Sequence, residues 1–139
     1  MEIQKTVRAP REYIYDKIVE SCLYDISQQT GKKPSIHNLQ GFEYSKRFGQ
    51  NQTGRIKIDE LDGTGIYAFT TATTKNTFKT RWELHKIDST TTNIIIDETH
   101  ESHGFFQRMN DAAIGTLMFP MKRRRYRKIL EGLEKAYQG

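Results

Sequence analysis

The sequence predicts an α+β fold: one antiparallel sheet, a helical segment after its first strand and a long helix at the C-terminal end. Three observations lead there. The stretch 42–102 breaks into short runs rich in β-branched and aromatic residues, separated by the turn-like pieces GQNQ, DGTG, TKN and DSTT. Links this short join antiparallel neighbours, because parallel strands need long crossovers. The segments on either side of this meander, 8–33 and about 108–137, carry helical spacing instead.

Each element has its own signal. MEIQKTV alternates, with Ile3, Lys5 and Val7 on one face and Glu2, Gln4 and Thr6 on the other, and reads as a strand. Pro10 suits the first helical position, and Gly31 stops the pattern that follows. Within it Tyr13, Ile14, Ile18, Cys22, Leu23 and Ile26 recur at helical spacing, with Glu20–Ser21 as the place where one helix would divide into two. Strands are expected at Phe42–Phe48, Gly54–Leu61, Gly65–Thr73, Thr77–Ile87 and Thr92–Ser102. TFKTRWELHKI places Phe78, Thr80, Trp82 and Leu84 on one face and charged or polar residues on the other, the pattern of a sheet buried on one side. Pro120 should kink the last helix or mark a restart, since proline removes a backbone donor and crowds the preceding turn.

A chain of 139 residues supports one domain with a real core, taken as 1–139. No apolar run approaches the ~20 residues of a membrane span, and the N-terminus lacks the layout of a signal peptide. Cys22 is the single cysteine, which excludes an internal disulfide and favours a reducing, cytoplasmic location. The net charge of +5 is local. Residues 1–107 hold 14 Lys/Arg and 14 Asp/Glu, whereas residues 108–139 hold 8 and 3.

That basic excess sits in FPMKRRRYRKILEGLEKAY, where nucleic-acid binding is the obvious alternative to a solvated helix face. At 100° per residue, Met118, Tyr126, Ile129, Leu130, Leu133, Ala136 and Tyr137 form an apolar arc. Arg124, Arg127, Lys128, Glu131, Glu134 and Lys135 lie opposite, with Arg127–Glu131 and Glu131–Lys135 at pairing distance. The strands bring no net charge to assist a nucleic-acid surface, so nucleic acid is not an expected partner. Lys122 and Arg125 break the pattern by projecting into the arc, either as snorkelling stems or as charges for a ligand's anionic group.

The order of elements resembles the START-like (SRPBCC, helix-grip) superfamily over essentially the whole chain. Its anchors are IQKTVRAPREYIYDKI, FKTRWELHKI with TNIIIDETHES, and the ending KRRRYRKILEGLEKAY. More narrowly, the chain is similar to a small family of Gram-positive bacterial proteins described as a domain of unknown function. The resemblance implies a curved antiparallel sheet of six or seven strands wrapped around the C-terminal helix, often with a cavity between them for an apolar or amphipathic molecule. Six strands are visible where seven are usual, and Pro120 is awkward for a gripping helix.

Within that frame NIIIDETHES puts Ile94, Ile96, Glu98 and His100 on one face. A carboxylate and an imidazole beside an apolar pocket can do acid–base work, anchor a ligand or form ordinary ion pairs. As a metal site ETHESH is poor: in a strand Glu98 and His100 face away from Glu101 and His103, leaving two convergent ligands where about four are wanted. Cys22 reads as a buried small hydrophobe, GTG at Gly63–Gly65 as a hairpin turn, and no phosphate-binding glycine loop occurs. No metal and no cofactor are expected.

The preferred function is non-catalytic binding of a small apolar or amphipathic molecule, with or without an acidic group. Tyr67, Phe69, Phe78, Trp82, Glu98, His100, Met118, Lys122 and Arg125 are its candidate contacts. Trp82 should be buried on the helix-facing side of the sheet, and Arg125, with Lys122 second, should meet Glu98. The alternatives are an enzyme with Glu98 and His100 as its acid–base pair, and a protein-interaction module with a filled interior. A homodimer is a further partner option.

Overall fold

The computed structural model describes residues 1–48, 52–102 and 111–137, with side chains at all of these except 102 and 111–121. Six strands alternate with two helices in the expected order: β1 (Glu2–Val7), α1 (Arg11–Thr30), β2 (Glu43–Arg47), β3 (Thr53–Leu61), β4 (Ile66–Ala72), β5 (Asn76–Asp88), β6 (Thr91–Ser102) and α2 (Asp111–Ala136). A 3-10 turn at Ile36–Asn38 lies in the loop after α1. The strands form one curved antiparallel sheet in the order β1-β6-β5-β4-β3-β2, so β1 and β2 are its edges. The architecture is α+β and helix-grip, as the sequence predicts.

α1 is one continuous helix, not the pair that Glu20–Ser21 allowed. Ile14, Tyr15, Ile18, Val19, Cys22 and Ile26 stay in phase across that point and all are buried, so a break would expose one half of the stripe. Gly31 ends the helix in the left-handed conformation, φ 74°, and its N–H closes on the Ser27 carbonyl at 2.9 Å. Glycine is the residue that adopts this cap without strain. α2 likewise runs through Pro120 without a restart. Proline there removes one backbone hydrogen bond, but the residues beyond it keep their helical phase and pack against the sheet. The GQNQ turn and the expected start of α2 near Arg108 lie largely outside the described residues.

Register builds the concave face in rows. Ile3, Ile96, Trp82, Tyr67 and Leu61 lie side by side across β1, β6, β5, β4 and β3. The adjacent row is Glu98, Thr80, Phe69 and Ile58, and the next is His100, Phe78, Thr71, Ile56 and Tyr44. A bulge in β3 between Ile58 and Glu60 keeps Leu61 on the inner face. α1 lies over the β2–β5 part of this face and α2 over β1, with Tyr13 and Tyr137 meeting between the helices at 4.9 Å.

The most enclosed side chains belong to the centre: Ile14, Ile26, Ile58, Ile94, Ile96 and Leu130 are almost wholly buried. Ile96→Ala, which empties a position flanked by Ile3 and Trp82, should cost about 2–4 kcal/mol of folding stability in urea titration.

Candidate functional site

The alternation of β6 turns Glu98 and His100 inward after Ile94 and Ile96. Glu98 is only 8% exposed. A carboxylate this enclosed needs donors, and it has three among the described residues. Lys122 of α2 donates to Oε2 at 3.0 Å, Thr80 of β5 to Oε1 at 3.1 Å and Tyr126 of α2 to Oε1 at 3.3 Å. The Lys122 ammonium also stands over the Phe78 ring, 3.8 Å from its centroid, which adds cation–π attraction. Burial, then the neighbouring Glu98 charge, raises the Tyr126 hydroxyl pKa, so Tyr126 stays a donor. His100 stacks on Phe78 at 4.6 Å, and its Nε2 lies 2.8 Å from Asn76 Oδ1.

Lys122, not Arg125, is thus the cation that meets Glu98. Arg125 is exposed. The reason is helical phase. Relative to Lys122, Leu133 lies about 20° round the axis, Tyr126 about 40°, Tyr137 about 60° and Leu130 about 80°, whereas Arg125 lies about 60° the other way. The arc drawn from sequence was centred too far toward Arg125, and for the same reason Ile129 and Ala136 are exposed. The acids of α2 also differ from expectation. Glu131 pairs with Lys5 of β1 at 3.5 Å, and Glu134 accepts the Arg8 backbone N–H at 3.0 Å. They dock the helix rather than pairing along it.

Trp82 is buried on the helix-facing side of β5, touching Tyr67 at 6.3 Å and Tyr126 edge-on at 6.2 Å. Its indole N–H has no acceptor among the described residues. The Met118 side chain and His103 lie outside the described residues.

A cavity of about 670 Å³ lies beside this centre. Its described wall is the second half of α1, at Cys22 and Asp25, and its floor is Tyr44, Ile56, Ile58, Tyr67 and Phe69 of β2–β4. The expected placement was between the sheet and the C-terminal helix; the side chains of the first part of that helix lie outside the described residues. The described part of α2 packs on β1, and α1 covers this cavity. Of the expected contacts whose side chains are described, Tyr67 and Phe69, stacked at 5.0 Å, are among the lining; Phe78, Trp82, Glu98, His100 and Lys122 form the centre next to it.

One polar cluster in the cavity wall was missed from sequence. Asp25 accepts a very short hydrogen bond from the Tyr44 hydroxyl and an ion pair from Lys46 at 3.0 Å. Burial, followed by Asp25, raises the Tyr44 pKa. Tyr67 and Cys22, the latter one turn before Asp25, line the same cavity. The signal was available: Cys22 and Asp25 are spaced i,i+3 on α1, and Tyr44 and Lys46 alternate onto one face of β2.

Two outcomes follow. Lys122→Met leaves a buried carboxylate without its cation and should destabilise the fold by about 3–5 kcal/mol. Glu98→Gln in that background should recover much of the loss, while Arg125→Met should change stability by less than about 0.5 kcal/mol. Urea titrations of the four proteins check both points. Burial raises the Cys22 pKa and leaves little thiolate at neutral pH, so iodoacetamide should label Cys22 slowly when folded and readily in denaturant.

The architecture recurs in solved structures of low sequence identity. The di-domain ARO/CYC BexL from the BE-7585A biosynthetic pathway matches with TM-score 0.59 at 12% identity, covering 97% of this chain and 45% of that one. A conserved protein from Geobacillus kaustophilus matches with TM-score 0.57 at 10% identity, covering 99% and 96%. Ara h 8.0201 matches with TM-score 0.56 at 14% identity, covering 83% and 89%. At these identities the likeness establishes the helix-grip fold. No curated protein matches the sequence. Residues 1–119, which hold Glu98 and His100 with Thr80, Phe78 and Asn76 but neither Lys122 nor Tyr126, match the model described as Domain of unknown function (DUF3284), and the chain belongs to that family.

Proposed function

We propose that the protein, acting as one unit over residues 1–139, binds a small apolar or amphipathic molecule without transforming it. The cavity between α1 and β2–β4 carries this reading. Its volume of about 670 Å³ is that of a small-molecule site, and such sites combine apolar walls with a few placed polar groups. Ile56, Ile58 and Phe69 supply the apolar surface; Tyr44, Lys46, Asp25 and Tyr67 supply polar groups at one wall. The neighbouring solved structures share the helix-grip fold, which supports a cavity of this kind.

The bonds of Glu98 bear against the acid–base alternative. A carboxylate that already accepts from Lys122, Thr80 and Tyr126 has little capacity left for a substrate proton. His100 is occupied with Phe78 and Asn76. We read this centre as the wall against which the ligand rests. Trp82 extends that wall, and its indole N–H, without an acceptor among the described residues, would suit a ligand carbonyl or a water. The unbridged Cys22 suits a reducing compartment, and we place the protein in the cytoplasm of a Gram-positive bacterium. Among the described residues no helix is long and apolar enough to cross a membrane.

Native mass spectrometry of freshly purified protein should reveal a co-purifying small molecule. Titration with fatty acids and aromatic acids should shift Trp82 emission, since Tyr67 couples the cavity floor to the indole. Phe69→Ala should weaken that binding about tenfold or more. A protein that carries nothing and gives no emission change with any ligand would overturn the reading.

A further inference from the structure

A groove distinct from the cavity runs along the β1 edge of the sheet. It has a volume of about 410 Å³ and is lined by Glu2, Ile3, Gln4 and Lys5 of β1 and by Arg123 and Arg127 of α2. Two independent features meet there.

The first is unused backbone. Met1 and Glu98 exchange both backbone hydrogen bonds, amine to carbonyl at 2.9 Å and N–H to carbonyl at 2.8 Å. In an antiparallel ladder such bonded pairs alternate with unbonded ones. Ile3–Ile96 and Lys5–Ile94 are therefore bonded pairs, and the N–H and C=O groups of Glu2, Gln4 and Thr6 point outward from the edge. The opposite edge is partly capped, because the Gln29 side chain takes the Arg47 N–H of β2 at 3.1 Å. Among the described residues nothing caps Glu2, Gln4 or Thr6. An open edge of this kind is a template for an added strand.

The second feature is charge. Arg123, Arg124, Arg127 and Lys128 are exposed and make no ion pair among the described residues. α2 also runs along β1 in the same direction: Lys122 sits by Glu98 next to Met1, Glu131 by Lys5 and Glu134 by Arg8. The helix advances about 18 Å from residue 122 to 134, and the strand about 23 Å from residue 1 to 8. With the two axes roughly aligned, Arg123 and Arg127 are about 6 Å apart along the groove. Alternate side chains of a strand recur every ~6.6 Å. Two acidic residues at i and i+2 of an added strand would meet the two guanidinium groups.

We propose that this groove binds an extended acidic segment of a partner protein, with an acidic-x-acidic pattern, as a strand added to β1. Main-chain bonds to Glu2, Gln4 and Thr6 supply the pairing, and Arg123 and Arg127 select the charge pattern. An extended peptide suits this groove better than a nucleic acid because the edge offers alternating backbone donors and acceptors and no exposed aromatic ring among its lining residues.

The test uses the full chain and fluorescein-labelled octapeptides in anisotropy titrations. One peptide alternates Glu with Val, a second replaces Glu by Lys, and a third keeps the Glu residues but places Pro at the intervening positions. An RNA octamer is the fourth probe. The alternating Glu peptide should bind with micromolar affinity, weaken as salt rises, and lose about tenfold in Arg123→Gln/Arg127→Gln. The Pro peptide, equal in charge but unable to donate main-chain hydrogen bonds, should bind at least about tenfold more weakly. Gln4→Pro in the protein removes one outward N–H without touching a β1–β6 bond and should weaken the alternating peptide alone. Equal binding of the Pro and Val peptides, absence of binding by the alternating peptide, or tighter binding of RNA that displaces it would each overturn the proposal. Ligand-induced change in Trp82 emission should be unaffected by Arg123→Gln/Arg127→Gln, which separates this groove from the cavity.

Discussion

The seating of α2 depends on the enclosed carboxylate of Glu98. Taking a carboxylate out of water costs several kcal/mol unless its oxygens are matched by donors. Here the donors come from different parts of the chain, Thr80 from β5 and Lys122 and Tyr126 from α2, while the Glu98 backbone pairs with Met1 of the edge. A shift of the helix by one residue would carry Lys122 about 100° round the axis and strand the acid. Apolar packing of Leu130 and Leu133 is more tolerant of such slippage, so the polar contact fixes what the apolar stripe only favours.

Once α2 is fixed over β1, the rest of the concave face is apportioned. The β1–β6 side is filled by Ile3, Ile94, Ile96 and Leu130. The β2–β4 side is left to α1, whose buried stripe ends near Cys22 and Ile26 and whose Asp25 is tied to Tyr44 and Lys46. That tie closes one flank of the cavity with groups that satisfy one another, so the wall is polar without carrying an isolated charge. The centre around Phe78, His100 and Lys122 is half-buried and held by ring stacking and a cation–π contact, and the open volume lies next to it.

The same docking gives the outer surface its asymmetry. Lys5 and the Arg8 backbone N–H engage Glu131 and Glu134, which occupies the acids of the described part of α2 and leaves its arginines facing out. A nearly neutral body therefore carries a basic ridge along one open strand edge. Charge and unused backbone coincide there because both follow from how α2 lies along β1.

The sequence by itself determined the six strands, their antiparallel pairing, the inward face of β5 and β6 and the burial of Trp82. These depend on periods of 2.0 and 3.6 residues and on short links, all of them local properties. It also placed Glu98 and His100 on one face, because alternation in a strand is absolute. The tertiary structure decided which cation reaches Glu98, since Lys122 and Arg125 differ by about 60° and only the contact with the sheet sets the zero of that angle. It decided that α1 does not divide and that α2 passes through Pro120, where packing overrides a local penalty. It placed one cavity, among the described residues, between α1 and β2–β4. Asp25, Tyr44, Lys46 and Cys22 are spread over residues 22–46 and become one cluster only when helix and edge strand meet, a relation between surfaces that no single segment encodes.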